Sequence, residues 1–270
     1  MKTLRRALLG LLLAGALTAL MLPASAADRL TVDGQDLWTA ARARYINSTT
    51  YVSLRTVAQA LRPDADVFWR DGAAWVEADG LTIRACPGEQ WLTVNDRAFY
   101  IKDGVAFTGS SVLVPVRVLA RALGASVDWS REAGVAVRAG SGQPAPRTYT
   151  DEDLYWMARI ISAESRGEPL LGKLAVGTVV LNRVASGEFP DSIYGVIFDR
   201  KWGVQFTPVA NGTVYDEPTE ESLLAARLVL DGARAAGDSL YFIAPELTSN
   251  HWTMEHRTYV TTIGCHWFYR

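Results

Sequence analysis

One short pattern occurs twice in the first half of this chain, and the repetition limits the folds that the region can adopt. Residues 51–61 read YVSLRTVAQAL, and residues 113–123 read LVPVRVLARAL. Each copy has apolar residues at helical spacing and continues into an extended apolar stretch ending at a tryptophan, Trp69 or Trp129. A second short strand follows each tryptophan after a polar turn. The pattern predicts two copies of a unit made of one short helix and two strands.

A run rich in glycine, serine and proline separates this repeat region from the rest of the chain. Residues 139–149 show no hydrophobic periodicity, which is typical of a linker. We therefore predict one domain over residues 27–138 and a second over residues 150–270.

The first 26 residues have the features of a signal peptide. Three basic residues precede an apolar run at residues 7–22, and small residues at 24–26 suit a cleavage site. An uncleaved membrane anchor is the alternative. No other apolar run approaches the ~20 residues that span a bilayer, so we expect an exported protein with no membrane span after cleavage.

The charge balance argues against nucleic acid as a partner. Cleavage at residue 26 would change the formal net charge from −2 to −5, because Lys2, Arg5 and Arg6 are lost. Residues 148–270 then hold ten basic and sixteen acidic side chains. An acidic domain of this kind repels phosphate backbones.

Cysteines and histidines give no sign of a metal or cofactor site. Cys86 and Cys265 lie in different predicted domains, and we expect them to be unpaired although export would permit a disulfide. The three histidines follow no zinc-binding spacing. The sequence therefore predicts no metal and no cofactor.

The second domain begins with a helix that places one carboxylate near its end. Thr150 has the N-cap pattern, and the helix is predicted to reach about Ser165, before Gly167 and Pro169 stop it. Glu164 lies at the edge of its buried face. That face is formed by Leu154, Met157, Ala158 and Ile161.

The position of Glu164 suits general acid chemistry. Apolar surroundings and the negative end of the helix dipole both disfavour the charged form and raise the pKa of the carboxyl group. A proton donor that works near neutral pH needs such a pKa. The residues leave open a second interpretation, in which Glu164 is a structural acid paired with Arg159 or Arg166.

The remaining elements of this domain are predicted from periodicity. Helices are expected at about 170–185 and 220–230, and strands at 240–243 and 259–262. Residues 203–214 read as an irregular loop. Small residues in the second helix would allow it to approach the first closely.

Motifs in a fixed order identify this domain as similar to a known family. Residues 163–169 read AESRGEP, residues 175–184 read AVGTVVLNRV, and residues 263–266 read IGCH. These motifs and those between them resemble the SleB-type cell wall hydrolases, the family of spore-cortex-lytic enzymes. The resemblance implies a lysozyme-like, mainly helical catalytic domain, and an α+β protein as a whole.

The repeat region also resembles a known domain. Residues 114–124 read VPVRVLARALG, as in the small domain named for the N-terminal region of copper amine oxidases. Ser53 replaces the proline of this pattern in the first copy. The resemblance implies no copper binding, and we expect a small α/β repeat domain that attaches the protein to the cell wall.

Several side chains of the repeat region invite a binding interpretation. Arg55 and Arg117 occupy equivalent positions in the two copies, and we expect structural roles for both. The tryptophans could stack on sugar rings, although core packing is the commoner role at strand positions. These tryptophans are Trp69, Trp75, Trp91 and Trp129.

The family resemblance implies an exported, cell-wall enzyme that cleaves peptidoglycan glycan strands, with spore cortex as one candidate substrate. Lytic transglycosylases need one acid, because the muramoyl 6-hydroxyl attacks its own ring, and the resemblance gives this role to Glu164. A muramidase would need a second carboxylate, for which Glu168 is the first choice. The sequence is also compatible with an amidase acting on the stem peptide and with a non-catalytic wall-binding protein.

Four further residues are predicted to bind substrate. Asn182, Gln205 and Tyr241 lie in family motifs and carry groups that suit sugar hydroxyl and N-acetyl groups. Glu168 is included as the rival carboxylate, although its position beyond the end of the helix favours an exposed or arginine-paired acid. Trp202, Trp252 and Trp267 are expected to serve in packing.

Overall fold

The computed structural model describes residues 28–201, 203–246 and 252–270. The predicted signal peptide, residues 1–26, lies outside the described residues, as does Trp202. A β-rich region is followed by a mainly helical one, which confirms the predicted α+β class. No helix in the described ranges has both the length and the apolar character needed to cross a membrane.

The β-rich region is made of short strands and two helices. Its helices are α1 (Leu54–Leu61) and α2 (Val116–Ala122). Its strands are β1 (Leu30–Val32), β2 (Gln35–Asp36), β3 (Arg44–Ile46), β4 (Thr49–Ser53), β5 (Asp66–Arg70), β6 (Ala73–Ala78), β7 (Leu81–Ala85), β8 (Trp91–Val94), β9 (Arg97–Tyr100), β10 (Ala106–Phe107), β11 (Val112–Pro115), β12 (Ser126–Ser130) and β13 (Gly134–Arg138).

The predicted duplication is present, and each copy is larger than the pattern indicated. A helix followed by a β-hairpin occurs twice, as α1 with β5–β6 and as α2 with β12–β13. The sequence analysis missed a further hairpin before each helix, β3–β4 and β10–β11. These hairpins join into one sheet of order β10-β11-β4-β3, in which β4 and β11 pair antiparallel at the centre.

Strands β7 to β9 have no counterpart in the second copy. They extend the first hairpin into a five-stranded sheet of order β5-β6-β7-β8-β9. The other edge of the region is a sheet of order β12-β13-β1-β2, in which β1 pairs parallel to β13. Buried aliphatic side chains fill the space between the sheets and both helices.

The helical region contains the predicted helices at nearly the predicted bounds. Its helices are α3 (Asp151–Ser165), α4 (Leu170–Ser186), α5 (Ile193–Phe198), α6 (Thr207–Asn211), α7 (Glu220–Leu230) and α8 (Trp252–His256). A three-stranded sheet of order β14-β16-β15 is formed by β14 (Tyr241–Ile243), β15 (Tyr259–Ile263) and β16 (His266–Tyr269).

The start of α3 and its packing follow from local chemistry. The Thr150 hydroxyl accepts from the amide of Asp153, and the Asp153 carboxylate accepts from the amide of Thr150, which is a complete capping box. Helix α4 lies very close to α3 and α7 at Gly177. A β-carbon there would be 2.9 Å from Ile161 Cδ1 and 3.1 Å from Val229 Cγ2. The predicted close approach is confirmed.

Short elements were missed by the sequence analysis. The predicted loop over 203–214 contains α6, which starts beside Pro208, and a 3₁₀ turn at Thr213–Tyr215. Helices α5 and α8 and strand β16 were not predicted either. Elements of four to six residues are too short to show a hydrophobic period.

The two regions are held together by a buried ion pair. Arg97 on β9 donates from Nε to the Asp231 carboxylate at the end of α7, at 2.8 Å. Asp231 is 2 % exposed and also accepts from the hydroxyl of Tyr149 at 3.2 Å. Ala98, the next residue of β9, joins the core of the helical region. The insertion, to which β9 belongs, therefore contributes to this contact, as does Arg121 on α2, which donates to the carbonyl oxygen of Asp231.

The segment predicted as a linker runs along the β-rich region. Arg62 donates to the carbonyl oxygen of Gly142 at 2.8 Å, and Gln143 donates to that of Asp79 at 3.1 Å. Residues 139–149 contain no helix or strand, in keeping with their composition. Their backbone nevertheless has fixed partners, so the segment differs from a free tether.

Candidate active site

Glu164 lies in the last turn of α3, between the buried residues Ile161 and Ser165. It makes no hydrogen bond or ion pair with any residue in the described ranges. Burial raises the pKa of its carboxyl group to about 7, and the positive charge of Arg183 acts in the opposite direction. The expected effect of apolar surroundings is therefore present, and burial is its main cause.

The two arginines that lie close to Glu164 in sequence are engaged elsewhere. Arg159 forms an ion pair with the Glu217 carboxylate at 2.9 Å, and Arg166 donates to the carbonyl oxygen of Glu217 at 3.1 Å. The alternative of a structural salt bridge to either arginine is therefore wrong.

The turn that follows Glu164 is fixed by a buried lysine. Lys173 is 1 % exposed, and its ammonium group donates to the carbonyl oxygens of Arg166, at 3.2 Å, and of Glu168. It also forms an ion pair with Glu221 on α7 at 2.8 Å. These contacts satisfy carbonyl groups at the end of α3 and hold the turn that carries Glu164.

Arg183 on α4 is a buried cation near Glu164. Its Nε donates to the carbonyl oxygen of Leu240 at 2.7 Å, while Nη1 is buried and finds no hydrogen-bond partner in the described part of the chain. The guanidinium lies against the rings of Phe189 and Phe206, 4.8 and 5.0 Å from their centroids. Burial lowers the pKa of Arg183 to about 10, and the neighbouring acidic groups, Glu164 among them, act to raise it.

A cavity of about 740 Å³ opens in front of Arg183. Two of the predicted substrate-binding residues, Gln205 and Tyr241, line it. The guanidinium carbons of Arg183 and Arg257 lie 5.6 and 4.4 Å from the centroid of the Tyr241 ring. Apart from Val204, the rest of the lining is aromatic or polar and includes Glu188, Phe189, Phe242, Trp252 and Thr253. Such a mixture of ring faces and hydrogen-bonding groups suits a saccharide.

Glu168 is placed differently from expectation. Its carboxylate accepts from the backbone amide of Cys265, at 3.3 and 3.2 Å, and its side chain is 10 % exposed. A β-carbon at Gly264 would collide with this carboxylate, so the turn between β15 and β16 closes directly over it. The interpretation of an exposed or arginine-paired acid is wrong, because Glu168 holds this turn, and it lies outside the lining of the cavity.

Asn182 also makes structural contacts. Its side-chain amide donates to the carbonyl oxygens of Gly237 and Ser239, both at 3.0 Å. Both amide hydrogens are thereby used to hold the loop before β14. Asn182 is not part of the cavity lining, whereas its neighbour Arg183 is.

Neither the two cysteines nor the described histidines, His256 and His266, line this cavity. Cys86 and Cys265 are unpaired. His266 is buried, with Nδ1 4.0 Å from Glu168 Oε1, and burial lowers its pKa. Within the described ranges, no group of three or more His, Cys, Asp or Glu side chains is arranged to hold a metal ion.

Arg183 and Trp252 are two of the cavity residues that the sequence analysis did not assign to the site. Arg183 follows Val176 and Val180 at helical spacing, so a charged residue interrupts the apolar face of α4. This interruption was a readable signal, because a buried arginine is rare without a function or a partner. Trp252 was expected to pack, yet it is 48 % exposed and lines the cavity.

Comparison with known proteins assigns both regions. Residues 167–269 match the family model described as Cell Wall Hydrolase, and residues 31–137 match the one described as Copper amine oxidase N-terminal domain. Both resemblances seen in the motifs are thereby confirmed. The first match begins three residues after Glu164 and does not include it. The role proposed for this residue therefore rests on the geometry of its site.

Individual relatives are similar to the helical region. A spore cortex-lytic enzyme of Bacillus cereus is 38% identical over 127 residues, which are 47% of this chain and 48% of the relative. The cell wall hydrolase CwlJ of Halalkalibacterium halodurans is 32% identical over 36% of this chain and 71% of its own length.

A solved structure is also similar. The catalytic domain of the germination-specific lytic transglycosylase SleB from Bacillus anthracis is 37% identical, with a TM-score of 0.42, and covers 47% of this chain and 100% of that domain. The chain spans about half the length of the spore cortex-lytic enzyme that it matches.

Proposed function

We propose, from the premise that this chain belongs to the cell wall hydrolase family, that it is a lytic transglycosylase acting on peptidoglycan glycan strands. One observation carries the proposal. Glu164 is a largely buried carboxyl group with no partner in the described ranges and a pKa of about 7, beside the arginine that lines the cavity. At neutral pH such a group is able both to donate and to accept a proton.

The proposed reaction needs one carboxyl group in two roles. Glu164 donates its proton to the glycosidic oxygen as the bond to the muramoyl C1 breaks, which leaves an oxocarbenium-like centre. The 6-hydroxyl of the same muramoyl ring then attacks C1, and the Glu164 carboxylate takes the hydroxyl proton. The products are a 1,6-anhydromuramoyl end and a free hydroxyl on the leaving sugar, and Glu164 returns to its acid form.

Arg183 supports the charged intermediate state of Glu164. After proton donation the carboxylate is negative in a largely buried site, where an isolated charge is costly. The nearby guanidinium stabilises that charge and keeps the pKa of the acid from rising further. Gln205 and Tyr241 would then contact the sugar, and we keep them as the proposed substrate-binding residues.

Hydrolysis by a muramidase is the second candidate, because a carboxylate lines the cavity. Glu188 is exposed there, whereas Glu168 is bound to the turn at Cys265. A water activated by Glu188 would give a reducing end in place of the anhydro end.

The place of action is part of the same proposal. Peptidoglycan lies outside the cytoplasmic membrane, so the enzyme would act after export, at the cell wall. Relatives named spore cortex-lytic enzymes make spore cortex the first wall type to test. We further propose that the β-rich region binds the wall.

Mass spectrometry of the soluble products from purified cortex and vegetative peptidoglycan tests the proposal. The unmodified chain should release anhydromuramoyl fragments, while Glu164→Gln should release none. Glu152→Gln, an exposed acid in the first turn of α3, is the matched control and should behave as the unmodified chain. Reducing ends would favour the muramidase and direct attention to Glu188. Free stem peptides, or no product from either wall type, would refute glycosidic cleavage.

A further inference from the structure

We propose that the duplicated region carries two equivalent binding grooves for the glycan of the cell wall, each built from both copies of the repeat. The choice of ligand rests on the proposed function, while the grooves themselves rest on the geometry of the β-rich region. The first groove is a cavity of about 630 Å³ beside α1, and the second is a cavity of about 600 Å³ beside α2.

The same kinds of residue line both grooves. The first groove has Arg55 and Trp69 from the first copy, and Phe107 with Ser110 and Ser111 from the second. In the second groove, each copy contributes the part that the other copy contributes to the first groove. It has Arg117 and Trp129 from the second copy, and Tyr45 with Ser48 and Thr49 from the first.

The correspondence between the grooves is visible in the numbering. Tyr45 and Phe107 are 62 residues apart, as are Ser48 and Ser110, Thr49 and Ser111, and Arg55 and Arg117. Trp69 and Trp129 occupy the same strand of the two helix–hairpin units, β5 and β12. The two cavities are therefore the products of one duplicated sequence.

The sheet topology explains why each groove needs both copies. Strands β4 and β11 pair antiparallel, with Ser53 opposite Leu113 and Tyr51 opposite Pro115. The end of β4, which leads into α1, therefore lies beside the turn that precedes β11. The end of β11 lies in the same way beside the hairpin β3–β4. Each helix start thus meets the hairpin of the other copy.

The aromatic side chains of the grooves are exposed, contrary to the core packing expected from the sequence. Trp69 and Trp129 are 53 % and 59 % exposed, and Phe107 and Tyr45 are also exposed. In the first groove, the rings of Trp69 and Phe107 lie 5.8 Å apart at an angle of 31°. Exposed aromatic rings that recur at two equivalent cavities indicate a binding surface. Their flat apolar faces match the C–H faces of pyranose rings.

The polar groups complete the recognition chemistry. Arg55 is exposed and forms no hydrogen bond or ion pair within the described ranges, and Arg117 donates to a single acceptor, the carbonyl oxygen of Val127, at 3.2 Å. Arginines bind carboxylates well, and the neighbouring serine and threonine hydroxyls suit sugar hydroxyls. The structure therefore points to a polysaccharide that carries carboxylates, as peptidoglycan does on its muramoyl substituents.

Two grooves on one domain make binding to a repeating polymer bivalent. A strand held in one groove is presented to the other at a high effective concentration, so that the apparent affinity exceeds that of either groove. Loss of either groove should therefore remove the gain from bivalency, and loss of both should weaken binding further.

Co-sedimentation with insoluble peptidoglycan tests the proposal, with every variant made in the Glu164→Gln chain so that the wall stays intact. We expect Trp69→Ala and Trp129→Ala each to weaken binding about fivefold, and the double variant about a hundredfold. Tyr259→Ala removes an exposed ring from the helical region and is the matched control, with no expected effect. Unchanged binding by the double variant would overturn the proposal, and loss through one tryptophan alone would overturn the equivalence of the grooves.

Further variants separate the parts of the inference. Trp69→Tyr with Trp129→Tyr keeps the ring faces and should retain binding, which guards against an effect on folding. Arg55→Ala with Arg117→Ala should weaken binding to peptidoglycan more than binding to uncharged chitin; equal losses would overturn the carboxylate contact. Cleavage of short soluble glycan fragments by the otherwise unmodified chain should be unaffected by the tryptophan variants. A chain that binds through these grooves but cleaves nothing would refute only the proposed function.

Discussion

The contact between the two regions and the candidate active site each contain a buried arginine and a carboxylate, but in opposite relations. At the contact, Arg97 and Asp231 are bonded at 2.8 Å, and Tyr149 donates to the same carboxylate. At the site, Arg183 keeps a buried Nη1 without a partner in the described ranges, and Glu164 is not bonded to it.

The difference separates a structural pair from one that we propose to be reactive. A buried ion pair whose members satisfy each other fixes the geometry of a fold, although removal of one member leaves a costly buried charge. Unsatisfied buried groups lower stability and are kept where chemistry needs them. The same two residue types therefore hold the regions together in one place and, in the mechanism that we propose, act on substrate in the other.

Of the variants that test this comparison, Glu164→Gln should have the largest effect on activity. We expect activity on peptidoglycan to fall at least about a thousandfold, because the only change is loss of the proton donor. Release of anhydromuramoyl fragments measures it. The unfolding midpoint should not fall, because Glu164 has no hydrogen-bond partner among the described residues. Residual activity above about a tenth of the original would contradict the assigned role.

Asp231→Asn should give the largest effect on stability. We expect the free energy of unfolding to fall by about 3–5 kcal/mol, because Arg97 would remain buried without its counter-charge. Urea denaturation measures the change. Asp238→Asn breaks an exposed pair with Arg270 and is the control, with a much smaller expected loss. Equal losses in the two variants would contradict a larger contribution of the buried pair to the free energy of unfolding.

Arg183→Gln should change the pH dependence of catalysis. The charge of Arg183 lowers the pKa of Glu164, so its removal should raise that pKa. Since the donor must be protonated, activity that declines above about pH 7 in the unmodified chain should decline at a higher pH in the variant. The pH–rate profile is the measurement, and a decline at the same or a lower pH would contradict the electrostatic link.

Glu164 should also affect stability as a function of pH. Its pKa is raised on folding from 4.5 to about 7, so the folded state favours the protonated acid. The stability of the unmodified chain relative to Glu164→Gln should be greatest below pH 4.5 and fall as the pH rises to about 7. Unfolding free energies of both chains across this range provide the test, and a constant difference would oppose it.

Glu168→Gln should give the smallest effect on activity. The carboxylate holds the turn at Cys265, so we expect a loss of about 1–3 kcal/mol in unfolding free energy and less than a threefold change in activity. Thermal unfolding and product release measure both. A large rise in KM with unchanged stability would restore the predicted substrate-binding role.

Much of the helical region could be predicted from the sequence, because long helices carry their own signals. Thr150 and Thr219 act as N-caps for α3 and α7, and the predicted bounds of both helices agree with the structure to within one residue. The location of Glu164 at a helix end followed directly from this. Its freedom from Arg159 did not, because side-chain partners depend on tertiary contacts.

The contacts that distinguish Arg97 from Arg183 could not be predicted. Arg97 and Asp231 are separated by 134 residues, and no local pattern links them. Glu168 and Cys265 are likewise 97 residues apart. The exposure of Trp69 and Trp129 was missed for another reason, since alternation along a short strand shows which side chains share a face but not whether that face meets the core.

The shared construction of the two grooves has a consequence for their symmetry. Neither copy of the repeat contains all the residues of one cavity, so a chain with a single copy would form such a cavity only as a dimer, with two identical chains related by a two-fold axis. The β4–β11 pair would cross that axis. By carrying both halves in one polypeptide, this protein forms the cavities independently of its own concentration.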